Sequence, residues 1–343
     1  MRARSVRLGP ASARVDPRAL VVGVLLALVC FVLLVFSIGT GDYPLSFGEV
    51  VSTLLGGGDE LTQLVVETLR LPRALTALLV GGALGAAGAI FQSLTRNPLG
   101  SPDVIGFTSG ASAAAVFAIV VFGGGSFAIA GSALVGGLLT AIAVYLLAWR
   151  DGVSGYRLVL IGIGLSAMLL ALTDYLLTRA RIEDALVAST WIVGSLDDRG
   201  WEHVRPLAVA LVALVPLLVA LSRSLRTLEL GDDAAGALGV RLERARLGLL
   251  GCGVALTAVA TSAAGPILFV ALAAPQIARR LTRASGPGVI AAALMGAALL
   301  LGADLIAQRL LPARMPVGIV TGVLGGVYLI ALLLREWRPS RGA

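Results

Sequence analysis

The side chains that could do chemistry in this chain are few, and their types narrow what that chemistry can be. All 27 basic residues are arginine; lysine is absent from the 343 residues. A P-loop needs a lysine to reach the nucleotide phosphates, so the chain is not expected to bind ATP in that manner. One histidine (His203) and two cysteines (Cys30 and Cys252) exclude a zinc or iron–sulfur centre built from ordinary ligand sets, and no metal or other cofactor is expected. Both cysteines lie in apolar runs and read as small core hydrophobes. Acids within apolar runs are scarce: Asp174 and Asp304 fall inside them, each near one end. Carriers driven by protons or sodium keep acids near the membrane midplane. A proton-coupled secondary carrier, with these two as its coupling acids, is therefore the weaker alternative.

The elements that must position these side chains are membrane helices. Hydrophobic residues make up 57% of the chain and charged ones 14%, with a mean hydropathy of +0.94. Soluble domains carry about 25% charged residues, so there is too little polar surface here to coat a water-soluble body. An all-α integral membrane protein of one permease-like domain, residues 1–343, is expected. At about 20 apolar residues per span, the candidates are 19–39, 72–94, 103–122, 127–148, 157–178, 203–222, 246–264, 266–281, 288–308 and 316–334. The first is too long for a signal peptide and lacks an A-x-A cleavage site, so it reads as retained. The eighth is short and follows a break at Gly265-Pro266, so it reads either as a span or as a broken or half-crossing helix.

Cytoplasmic loops collect arginine. With the N-terminus inside and ten alternating spans, 19 arginines fall on the cytoplasmic side and 8 outside, while acids lean the other way, 12 outside against 8 inside. Both termini are expected in the cytoplasm, as tails over 1–18 and 336–343. The net charge of +7 is thus a topology signal; basic and aromatic surface for nucleic acid is lacking. An outer stretch over 42–67 carries a short interfacial helix near 47–55. The inner loop over 223–246, punctuated by Gly231, Gly236 and Gly239, predicts two very short helices with a sharp turn. A structured, charged inner loop between two halves of about five spans suits a transporter that receives force from a cytoplasmic partner. Gly81 and Gly85 form a G-x-x-x-G pair, which places the second span against another backbone.

Three segments carry a more specific signal. Residues 70–106 read RLPRALTALLVGGALGAAGAIFQSLTRNPLGSPDVIG, residues 191–201 read WIVGSLDDRGW, and GPILFVALAAPQIARRL at 265–281 leads on to residues 302–335. Together they resemble the FecCD family, the inner-membrane permeases of ABC importers for iron–siderophores, haem and vitamin B12. The resemblance rests on Arg70, Pro72, Arg73, Gln92, Asn97, Pro98, Leu99, Pro102 and Gly106, then on Pro275, Gln276, Arg279 and Asp304. Gly100 replaces the usual alanine, Gln276 stands where many members have histidine, and Asp304 is followed by Gln308 and Arg309 where the family pattern is D-x-x-x-R. The glutamine and the 191–201 segment look most like the ferric enterobactin subgroup.

The resemblance implies a vitamin B12 importer-like fold of ten helices, with helices two to five and seven to ten related by an inverted pseudo-twofold. It implies a multi-pass protein of the bacterial inner membrane, in contact with membrane lipid and without enzymatic activity of its own. The expected partners are a second, homologous permease (a heterodimer being favoured over a homodimer), two ABC ATPase subunits and an extracytoplasmic siderophore-binding lipoprotein. The cargo is a ferric siderophore of catecholate type, with vitamin B12 or haem as the alternative. Arg70, Arg73 and Arg309 correspond to docking arginines for acids on the binding protein. Leu230, Gly231, Asp232, Ala235, Leu238 and Gly239 correspond to coupling helices that seat in the ATPase.

Overall fold

The computed structural model describes residues 4–8, 11–41, 43–150, 154–284, 286–310 and 315–336. Two short strands, β1 (Arg4–Leu8) and β2 (Ala11–Val15), pair antiparallel where the sequence predicts only a tail. The helices that follow are α1 (Pro17–Gly39), α2 (Phe47–Leu54), α3 (Glu60–Gln63), α4 (Leu71–Thr95), α5 (Phe107–Phe122), α6 (Ser126–Ala148) and α7 (Gly155–Arg179). They continue as α8 (Ile182–Val193), α9 (Trp201–Leu228), α10 (Asp232–Ala237), α11 (Leu242–Ala264), α12 (Val270–Thr282), α13 (Val289–Arg309) and α14 (Val317–Glu336). A π-helical stretch, Leu64–Arg70, joins α3 to α4 without a break.

Seven described helices are long and apolar enough to cross a membrane, and α5 and α14 are shorter apolar helices. With α12 these make up the ten spans read from the sequence. At 1.5 Å per residue α12 covers about 20 Å, short of the roughly 30 Å of a hydrocarbon core. It begins after a break in which Gly265 and Phe269 both adopt left-handed φ, at 73° and 67°. The break expected at Gly265-Pro266 is therefore present, and the helix after it is short.

Other boundaries differ from expectation. α9 runs on to Leu228 and α11 starts at Leu242, so the loop expected over 223–246 shrinks to 229–241 and holds one short helix, α10, instead of two. Arginine is a good helix former with a long apolar stem, which lets both helices continue past the apolar core. The sequence reading also passed over α8, whose acidic first turn (Glu183, Asp184) and 12-residue length hide it among connector residues. The short helix expected near 47–55 is α2, started by a capping box between Ser46 and Glu49. The tail expected over 336–343 lies outside the described residues except for Glu336.

Packing centres on α4. Of the most apolar stretch within Glu60–Thr95, 78% is buried, against 11% for α1 and for α9. Lipid tails are as apolar as leucine, so helices associate here through close backbone contact. A Cβ on Gly81 would strike the Gly296 carbonyl of α13, and one on Gly85 would strike that of Ala292. Gly81→Leu or Gly85→Leu should therefore lower the thermal unfolding midpoint of the detergent-purified protein, overpacking costing about 1–3 kcal/mol. Gly302→Ala, on the same α13 but with open space around it, should leave the midpoint unchanged.

Candidate functional site

The residues singled out in the sequence gather at the two ends of α4. At its N-terminal end lies an arginine rim. Arg70 donates through Nη1 to the Ile38 carbonyl at 2.8 Å and through Nη2 to the Tyr43 carbonyl at 2.6 Å. Arg309 donates to the Thr40 carbonyl at 3.0 Å. The last carbonyls of a helix have no partner within it and carry partial negative charge, so these two guanidinium groups finish the C-terminal end of α1. A side chain at Gly41 would collide with Arg70.

Arg73, one turn further along, bridges three elements. Its Nη2 and Nε donate to the two carboxylate oxygens of Asp304 on α13, at 2.8 and 3.2 Å. Its Nη1 donates to Asp197 Oδ1 at 2.5 Å. Gln308 adds a 2.6 Å donation to Asp304 Oδ2 from one turn along α13. Asp304 is fully buried, and the pair with Arg73 is what allows a charge there. The i, i+4 spacing explains the departure at Gln308 and Arg309: position 308 lies over Asp304, whereas position 309 is rotated away toward α1. Asp197 sits on the loop between α8 and α9. The Ser195 hydroxyl, at 3.1 Å, donates to the Asp197 carboxylate and accepts from its N–H at 3.0 Å. That loop is pinned by Ser195 N–H to the Ala264 carbonyl at the end of α11 and by Gly194 O to the N–H of Gly318 on α14.

At the other end of α4 the remaining signature residues close a network. Gln92 donates to the Leu272 carbonyl of α12 at 2.9 Å, and Gln276 of α12 donates back to the Pro98 carbonyl. Asn97 accepts from Leu99 N–H at 2.9 Å. Pro102 and Pro275 are buried, and Gly106 starts α5 at φ 94°, where its Cα faces Gly162 and Ser166 of α7. Arg279 donates to Ser93 Oγ at 3.0 Å and pairs with Glu229 at 3.2 Å, just ahead of α10. Asp232, in the first turn of α10, is clasped by Arg96 at 2.5 Å and by Arg246 at 2.7 Å. Partial burial works against ionisation of Asp232, but the two guanidinium groups outweigh it and hold the carboxyl below its ordinary value. Gly231 and Gly239 take left-handed φ of 109° and 82° on either side of α10. Ala235 is fully buried, while Leu230 and Leu238 project outward, 66% and 63% exposed.

The acids divide differently from the sequence reading. Asp174 is exposed on α7, and Asp304 is neutralised within the bundle. Asp103, in the turn before α5, was not counted among the enclosed acids, yet both its carboxylate oxygens are buried, beside the Phe269 backbone and the Thr108 side chain. Asp197 and Glu229 were also missed. Asp197 belongs to the 191–201 segment, but its partner Arg73 is 124 residues away, and sequence spacing carries no sign of that pairing.

The FecCD transport family profile matches residues 25–335. The ferric enterobactin transport system permease protein of Escherichia coli K12 is 48% identical over 327 residues, covering 95% of this chain and 99% of that protein. The achromobactin transport system permease protein of Dickeya dadantii is 41% identical and covers 90% of each chain. Among solved structures, a chain described as an inward-facing metal-chelate type ABC transporter superposes with a TM-score of 0.81 at 30% identity, over 92% of this chain and 99% of that one.

Two measurements check the electrostatics. Arg73→Ala strands the fully buried Asp304 carboxylate inside the bundle and should cost about 3–5 kcal/mol, read as lost thermal stability and yield. Because the Asp232 carboxyl is held below its ordinary 3.8, its contribution is complete above that pH and is lost as pH falls further. Limited proteolysis within 229–241 should therefore be constant from about pH 8 to pH 5 and accelerate only below the ordinary aspartate range.

Proposed function

The chain belongs to the FecCD transport family, and on that premise we propose that it is the membrane permease of an ABC importer that moves a ferric siderophore of catecholate type across the bacterial inner membrane. The observation that carries this reading is the 48% identity to a ferric enterobactin permease along 95% of the chain. ATP is hydrolysed by separate ATPase subunits, in keeping with the absence of lysine. Both termini and the α9–α11 loop lie in the cytoplasm, a reading supported by the arginine imbalance between the two sides.

The two ends of α4 then have distinct tasks. The rim of Arg70, Arg73 and Arg309 faces outward and receives acids of a binding lipoprotein. The α10 loop faces the ATPase: Leu230 and Leu238 supply exposed apolar contact, while Asp232, Arg96 and Arg246 tie the loop to α4 and α11. The second permease is a homologue of different sequence, and the path runs between the two. ATP binding and hydrolysis bias the pair between outward-open and inward-open states, each nucleotide state favouring one geometry. This chain makes and breaks no covalent bond.

The test is uptake by the reconstituted transporter with its ATPase and binding protein. Ferric catecholate should accumulate with ATP and should stop accumulating when the ATPase is catalytically dead. Leu238→Glu should abolish uptake while the complex still assembles. Uptake that persists with the dead ATPase, driven by a proton gradient, would contradict the reading.

A further inference from the structure

Arg73 holds two acidic partners at the outer rim, and the two are not equivalent. Asp304 is fully buried and takes two of the guanidinium nitrogens, whereas Asp197 takes the third with its side chain 49% exposed. Removing Asp304 from the pair would leave a buried charge uncompensated, which is costly. Releasing Asp197 costs little, because an exposed ion pair is weak in water. Its loop also keeps it satisfied, since the Ser195 hydroxyl already bonds the other carboxylate oxygen.

The charge count in this contact decides how a partner can approach. One guanidinium already faces two carboxylates. A third carboxylate arriving from outside meets excess negative charge and gains an ion pair with Arg73 only if one of the two withdraws. The exposed one is free to do so.

We propose that Asp197 holds, in the undocked permease, the position that a carboxylate of the binding protein takes on docking, so that docking at Arg73 proceeds by exchange of one acid for another. The inference rests on the docking role of the rim given above. It makes Asp197 a determinant of docking affinity: the protein sets its own acid against that of the partner and so favours a partner whose carboxylate reaches Nη1 with better geometry. It also gives docking a route inward. Asp197 lies on the loop that follows α8 and is pinned to α11 and α14, so the exchange releases that loop from α4 at the moment the binding protein seats.

The test is surface plasmon resonance of the soluble, ferric-siderophore-loaded binding protein over the assembled transporter in nanodiscs. Asp197→Asn should tighten Kd by about two- to five-fold at low ionic strength, the range of an exposed pair, with the gain shrinking as salt is raised. Asp198→Asn removes the same charge from the neighbouring exposed residue and should give a smaller gain. Arg73→Gln combined with Asp304→Asn, which removes the buried pair together, should weaken docking and erase the effect of Asp197→Asn. If the double variant weakens docking while Asp197→Asn leaves Kd unchanged or raises it, or matches Asp198→Asn, the exchange is wrong and the docking rim stands. If the double variant docks normally, the rim itself is misassigned and the exchange falls with it. Size-exclusion elution of each variant as the complete complex reports that the transporter is assembled.

Discussion

The closeness of α4 to α13 is the constraint on which the rest of the structure depends. In water, apolar side chains would press the two helices together; in lipid that drive is missing. What remains is contact between backbones, and Gly81, Gly85 and Gly296 provide it by presenting no Cβ at the crossing. The Arg73–Asp304 pair joins the same two helices above that crossing. A buried pair of this kind contributes little net stability against an apolar replacement. Its bidentate geometry, with Gln308 added, instead fixes the rotation and register of two helices whose smooth faces would otherwise slide.

α4 is also the element that reaches both functional ends. Its 25 residues span about 37 Å, from Arg73 near the start to Arg96 at its C-terminal cap. At the first end the side chains bind the chain's own carbonyls and acids; at the second, Ser93 and Arg96 hold the loop that carries α10. A buried rod with polar groups only at its tips is suited to carrying rigid-body movement between compartments. Of the two acids expected inside the spans, Asp304 is already neutralised and Asp174 is not enclosed at all, while Asp103 is enclosed in the turn before α5.

How much of this was legible follows from the range of the signals. Runs of apolar residues gave the ten spans, and Gly265-Pro266 marked the interrupted one, because both signals are local. The short helix near 47–55 was likewise a local signal, and the structure starts it with a capping box between Ser46 and Glu49. What could not be read is pairing across the chain: Arg73 meets Asp304 at a separation of 231 residues and Asp197 at 124. The docking arginines were expected as exposed charges, whereas the fold turns Arg70 and Arg309 onto the end of α1, a use visible only once α1 is seen to stop at Gly39 beside them. The signature residues Gln92, Gln276 and Arg279 were recognisable by type and spacing, but their shared task of tying α4, α12 and the α10 loop together emerges from the geometry alone.

On the proposed topology α4 links two compartments, with the arginine rim on one side and the α10 loop on the other. Single cysteines at Gly236 on α10 and at Asp59 before α3, in a background with Cys30 and Cys252 replaced, test this by labelling sealed vesicles of known orientation with an impermeant maleimide. Gly236→Cys should be labelled only from the cytoplasmic face and Asp59→Cys only from the opposite face. Labelling of both from one face, or the reverse assignment, would contradict that topology.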